Sequence, residues 1–212
     1  MDTPVATRSE LLAVRARARL AKRGVELLRG KRAHLLDALG QAAGAAMAGG
    51  EALERKGAVA HGALALATAL DGPEAVRSAA MAVAASPIAL EARTEVVVGV
   101  DVATIHHGTV GRRATERGYA LSSTPAHVDE VADHFERVVE LVLSLAAHQM
   151  RLARLAAEVR KVTRRVNALD QAVVPALESA AHRIASVLDE RERQDRFRLQ
   201  RFARGRQGGG IG

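Results

Sequence analysis

The apolar positions of this chain follow one rhythm over most of its length. Leu11, Val14, Ala18, Ala21, Val25 and Leu28 step by three and four, Arg32 stands in the next apolar slot, and Leu35 and Leu39 resume the stripe. It continues through Ala42, Ala46, Gly49, Leu53, Lys56 (a second misfit), Ala60, Ala63, Ala67 and Leu70. Such spacing, sustained over about eight heptads, predicts a coiled-coil helix starting near Arg8, capped by Thr7 or Ser9. The spacing returns at Val128, Val131, Phe135, Val138, Val142, Leu145, Gln149, Leu152, Ala156 and Val159. After a one-residue shift it passes to Val162, Val166, Leu169, Val173, Ala176 and Ala180. A second long helix is predicted from Ala126 to about residue 204. Pro175 lies inside it, so the hydrogen bond to Gln171 is lost and a kink is expected.

Between the helices the rhythm stops. Asp71-Gly72-Pro73 ends the first helix, Pro73 can open a short one through Ala85, and Ser86-Pro87 breaks again. Residues 95–105, EVVVGVDVATI, form a β-branched, partly alternating run that predicts a strand. His106-His107-Gly108 reads as a turn, a second short strand is expected within 109–121, and Thr124-Pro125 closes the insert. The predicted organisation is an N-terminal coiled-coil helix over 1–70, a central insert or foot over 71–125, a C-terminal coiled-coil helix over 126–204 and a disordered Gly-rich tail over 205–212. The fold class is mainly α: a long antiparallel two-helix coiled coil with a small insert holding a short helix and a β-hairpin. At ~1.5 Å per residue the helices would run roughly 90 and 110 Å.

Glycines at 24, 30, 40, 44, 49, 50, 57 and 62 qualify the first helix, since each costs its interior about 1 kcal/mol relative to Ala. The Gly/Ala-rich stretch 40–62 predicts close helix–helix approach or fraying at Gly49-Gly50, with a weakened helix held by its partner as the favoured expectation.

Composition supports a helical seam over a compact core. The 212 residues hold no Trp or Cys, one Tyr and three Phe, so the core must come from Ala, Leu and Val. Zero cysteines exclude a disulfide scaffold and a thiolate metal site, and a reducing cytosol is the compatible compartment. Residues 1–8 do not read as a signal peptide, and no apolar run reaches the ~18 residues of a membrane span. The net charge of +7 is concentrated at the ends: residues 1–32 hold nine Lys/Arg against three acids, and residues 191–212 hold seven Arg against two. A solvated face, a nucleic acid or a protein socket could each account for that charge.

Catalytic chemistry is not legible. His106 and His107 are adjacent and diverge, and His127 and His134 lie about 10 Å apart along a helix, too far to share one ion. Glu130 and His134 are spaced for a surface pair, and the acids Asp129, Glu130, Asp133 and Glu136 suit the start of a helix. There is no phosphate-binding loop and no nucleophile signature, so no cofactor or metal is expected. On composition alone, Arg164 and Arg165 read as solvated arginines beside a seam.

The run Thr163-Arg164-Arg165-Val166-Asn167-Ala168-Leu169, then Pro175 and Glu190-Arg191-Glu192-Arg193, closely resembles the C-terminal helix of the D subunit of the V-type (archaeal A-type) ATP synthases. Pro4, Thr7-Arg8, Leu11-Leu12, Leu20-Ala21, Gly24, Leu27-Leu28 and Lys31-Arg32 near the start look like the same family. So do Gly99-Val100, residues 119–124 and Phe135 further on. Asp170 stands where the family usually has Glu, and stretch 40–62 is richer in Gly.

The resemblance implies a non-catalytic rotor shaft. Its two ends would penetrate a head of A and B subunits, the F subunit would bind it, and its foot would rest on the membrane-ring adaptor, the C subunit. Nucleotide sites would then lie in other subunits. The implied place is peripheral, on the cytoplasmic side of the membrane, without insertion into it. The residues it marks as head-contacting or seam positions are Thr7, Arg8, Leu11, Lys31, Arg32, Arg164, Arg165, Val166, Asn167, Leu169, Pro175, Glu190 and Arg191. A basic hairpin that binds nucleic acid, or a generic scaffold, is the rival; scarce aromatics and the lack of a reader motif argue against nucleic acid.

Overall fold

The computed structural model describes residues 6–83, 87–120 and 124–208, with the backbone alone at Ala114 and over 203–208. The element order is α1 (Arg8–Asp71), α2 (Pro73–Ala82), β1 (Leu90–Val97), β2 (Val100–His107), a 3₁₀ turn (Ala114–Glu116), α3 (Ala126–Ala168), a π turn (Leu169–Val173) and α4 (Val174–Gly208). Pro4, Ser86, residues 121–123 and the end of the tail lie outside the described residues. The fold is mainly α with coiled-coil-like seams and a two-stranded antiparallel hairpin, as the apolar pattern predicts. α1 is unbroken through Gly49-Gly50. α4 continues to Gly208, past the end expected at 204.

The chain forms two compact units, Met1–Ala33 with Arg160–Gly212, and His34–Val159. In the first, the start of α1 runs antiparallel to the end of α3 and to α4. Arg29–Asp170, Lys22–Glu178 and Arg8–Glu192 mark successive rungs. Its interior is a file of small aliphatics: Val14, Ala18 and Val25 from α1, with Val162, Val166, Val174 and Ile184 opposite. Each buried Val or Ile contributes about 1.5–3 kcal/mol, so the seam's strength comes from many modest contacts.

The phase of that file departs from the expected one. Past Val166 the sequence stripe runs Leu169, Val173, Ala176, Ala180, whereas Val173 is 40% exposed and Val174 is buried. The π turn is the reason. The Val174 N–H reaches back to the Leu169 carbonyl, five residues away instead of four, which inserts one extra residue and shifts every later position. It ends two residues before Pro175, which has no N–H to give to Gln171. The helix absorbs its irregular residue as a wide turn.

In the second unit Leu35, Ala42, Ala60 and Ala67 of α1 and Val128, Val131 and Leu155 of α3 are buried. Leu155 is fully buried although the expected stripe passes through Leu152 and Ala156. A Cβ at Gly49 would sit 3.3 Å from Leu145 Cδ1, the close approach that the Gly/Ala-rich stretch predicts. His61 and Phe135 meet edge-on, with ring centroids 5.6 Å apart.

The insert corrects the strand assignment. The run 95–105 is not one strand: it folds back at Val98-Gly99, whose φ values are 52° and 69°. β1 pairs with β2 from Leu90↔His107 to Val97↔Val100. Two residues at positive φ make the two-residue turn that matches strand twist, and Gly99 takes one of them without strain. His106 and His107 therefore end β2 instead of forming a turn. Among the described residues no strand follows in 109–121; the 3₁₀ turn occupies part of that stretch. Val100 and Val102 of β2 are buried, while β1 is exposed along almost its whole length. Arg154 Nε donates to the Asp101 carbonyl at 3.3 Å and Arg151 pairs with Glu95 at 3.2 Å, tying the hairpin to α3.

Candidate functional site

The paired ends of the first unit gather several of the residues singled out in the sequence. Thr7 caps α1: its Oγ1 accepts the N–H of Glu10 at 3.2 Å. Arg8 is ion-paired with Glu192, and Arg191 Nη1 donates to the Ala6 carbonyl at 3.0 Å, closing the end of the pair. The hydrogen bond to Glu192, reinforced by its charge, holds the Arg8 guanidinium above its ordinary pKa. The same pairing draws the Glu192 carboxyl below its usual range. Both side chains are exposed, so the contribution to stability is small. Glu190 accepts from Arg193 at 2.9 Å, and Leu11 is half-buried.

The second group lies further along. Arg29 reaches Asp170 at 2.7 Å, and the register of that rung sets Lys31 and Arg32, both half-buried, level with 167–169. Val166 is buried at 3% exposure, while Arg164, Arg165 and Asn167 are exposed and Leu169 is half-buried. Neither Arg164 nor Arg165 has an ion pair among the described residues. Pro175 is exposed. The motif therefore separates into a seam residue, Val166, and an outward basic face. Beyond Glu192, α4 presents Phe197, Leu199 and Phe202 at 63%, 69% and 77% exposure among Arg196, Arg198 and Arg201.

In the second unit the structure adds a site that the sequence analysis missed. Arg117, 3% exposed, lies under the first turns of α3. Its guanidinium donates to Asp129 at 2.9 Å, to Glu136 at 3.0 Å, to the Asp129 carbonyl at 3.2 Å and to Asp133. Arg112 adds its backbone N–H to Glu136 at 3.0 Å. Tyr119 donates its hydroxyl to Asp129. Gly118, at φ 89°, turns the chain between them so that both neighbouring side chains enter the cluster.

Burial alone would lower the Arg117 pKa, but its hydrogen bonds with Glu136, Asp133, Tyr119 and Asp129 outweigh it and the charged form is held more firmly than usual. Burial and the Asp129 contact raise the Tyr119 pKa, partly opposed by Arg117. Three of the four acids read as helix-dipole partners are thus ligands of one guanidinium. The fourth, Glu130, approaches His134 at 3.8 Å, the expected surface pair. The available signal was the spacing 129, 133, 136, which lines three carboxylates on one helix face. Such a cluster positions; a guanidinium this well held gives up no proton near neutral pH.

No group of three or more His, Asp or Glu among the described residues is arranged to hold a metal ion, and none of their helices is long and apolar enough to cross a membrane.

A family model described as the D subunit of ATP synthase matches residues 10–204, covering both units and the insert. The chain is 40% identical over 206 residues to the V-type ATP synthase D subunit of Anaeromyxobacter dehalogenans, covering 95% of this chain and 96% of the relative. It is 43% identical over 112 residues to the A-type ATP synthase D subunit of Pyrococcus horikoshii, covering 53% of this chain and 52% of that one. The corresponding protein of Thermococcus kodakarensis is also 43% identical over 112 residues, with the same coverage.

Proposed function

The chain belongs to the ATP synthase D-subunit family, and we propose that it serves as the central-stalk rotor shaft of a V/A-type ATP synthase. In this role it carries rotation between the ion-driven membrane ring and the catalytic A/B head, coupling ion translocation to ATP synthesis or hydrolysis. It is not itself catalytic; the nucleotide sites belong to other subunits. The observation that carries the proposal is the family match across almost the whole chain, together with the long helical seam of small aliphatic residues.

The work divides by unit. The terminal pair, bearing Thr7, Arg8, Leu11, Arg191 and the exposed arginines of α4, enters the head, where positive charge on a smooth helical surface makes weak contacts that form and break as it turns. Lys31, Arg32, Arg164 and Arg165 extend that basic face, with Val166 and Leu169 on its seam side. The F subunit binds the shaft, and the insert rests on the adaptor, the C subunit. The protein thus sits peripherally, on the cytoplasmic side of the membrane, and the transmitted change is a rigid-body rotation.

The test is affinity capture of the tagged protein from its native membranes, with partners identified by mass spectrometry. Recovery of A, B and F subunits supports the shaft. Recovery of nucleic acid, or of no ATPase subunits, overturns it. A crosslinker placed at Val98 checks the orientation: adducts with base subunits are expected, and adducts inside the head reverse the assignment.

A further inference from the structure

The end of the molecule that includes α4 carries two overlapping apolar stripes, and only one is used. Continued without interruption, the heptad of Val162 and Val166 would bring Val173, Ala176, Ala180, Arg183 and Val187 to the seam. The observed seam holds Val174 and Ile184 at 8% and 4% exposure, with Leu177, Ala181 and Leu188 half-buried on the same line. These are the residues one position later in each case. The unused stripe would put Arg183 where Ile184 is buried and Ala176 where Leu177 packs. That phase would trade two aliphatic contacts for a desolvated guanidinium and a smaller side chain.

We propose that the π turn Leu169–Val173 is a phase-setting joint. Its single extra residue fixes which face of α4 meets α1, and so the azimuth at which residues 191–202 are presented. One residue corresponds to about 100° around a helix. Three ion pairs stand on the selected phase. Arg29 grips Asp170 inside the joint at 2.7 Å, Lys22 meets Glu178 just beyond it at 2.5 Å, and Arg8 meets Glu192 at the far end. Pro175, the second residue of α4, disfavours the regular helix that would use the other phase.

The joint makes deletions position-dependent. Removing Ala172 together with Pro175→Ala takes out the extra residue and the imino ring, leaving a regular helix whose later residues keep their present faces. Removing Ser179 instead leaves the joint intact but rotates everything beyond it. The chain has no cysteine, so Lys22→Cys/Glu178→Cys and Arg8→Cys/Glu192→Cys pairs can be read cleanly with a short bis-maleimide. In the joint deletion both crosslinks are expected to form as in the parent. In the Ser179 deletion the 22–178 crosslink is expected to persist and the 8–192 crosslink to be lost. Circular dichroism on each variant shows that it remains helical. Loss of both crosslinks in a helical joint deletion, or retention of 8–192 in the Ser179 deletion, overturns the proposal. These readouts do not depend on the rotor assignment, since no other protein takes part.

Discussion

Tyr119 and Arg117 share one acceptor: the Asp129 carboxylate takes the Tyr119 hydroxyl and, at 2.9 Å, the Arg117 guanidinium on the same oxygen. Burial and this contact lift the Tyr119 pKa above the ordinary 10. A raised folded-state value means the stabilisation is complete below the unfolded pKa and disappears as pH rises through the folded one. Tyr119→Phe should therefore lower Tm at pH 8, by about 1 kcal/mol of stability for the lost hydrogen bond, and the gap to the parent should close in strongly alkaline buffer. Thermal melts from pH 8 to strongly alkaline conditions check it; a constant gap would show that the hydroxyl is not the titrating contact.

Arg117→Met removes the only cation that touches Asp129, Asp133 and Glu136 together among the described residues. Of the three only Glu136 is buried, and Arg112 still contacts it, so the loss should fall below the ~3–5 kcal/mol of an uncompensated buried charge. Arg117→Lys should recover part of that, because an ammonium keeps the charge and loses the fork that spans three carboxylates. Urea denaturation of the three proteins gives the order directly.

Val166→Asp places a carboxylate at a position 3% exposed within the terminal seam. The expected loss is about 3 kcal/mol or more, and in an assembled ATPase, hydrolysis should continue with reduced ion pumping. Measuring Tm and the ratio of ions moved to ATP hydrolysed separates the two effects. An unchanged Tm with normal coupling would remove Val166 from the seam.

Gly44 and Gly49 should respond differently to alanine. Nothing lies within 4 Å of a Cβ at Gly44, so Gly44→Ala should gain close to the full ~1 kcal/mol of helix propensity. At Gly49 the new methyl meets Leu145 Cδ1 at 3.3 Å, and the gain should be reduced or cancelled. Paired chemical denaturation curves test the difference.

The helices were legible because heptad spacing is a property of the sequence alone: Val14, Ala18, Val25, Leu35 and Ala42 are buried where the stripe sets them. The hairpin was legible in kind but misplaced. Val98 occupies a positive-φ position that β-branched residues seldom take, so EVVVGV reads as one continuous strand. The seam beyond Leu169 was misread because a π turn changes phase without changing composition. Pro175 announced an irregularity there, not its geometry. Arg117 was hidden for a different reason: its partners lie 12 to 19 residues later, and a charge that finds its counter-ions only through tertiary folding leaves no local periodicity.

The lone tyrosine has a practical consequence for anyone handling the protein. With no tryptophan present, near-ultraviolet emission comes essentially from Tyr119, seated in the core cluster with Ala79 and Val128 and hydrogen-bonded to a carboxylate that quenches it. Intrinsic fluorescence therefore watches His34–Val159 and is blind to the terminal seam, whereas circular dichroism, governed by the helices, sees both. Comparing the two signals during denaturation tells, without any label, whether the two units melt as one.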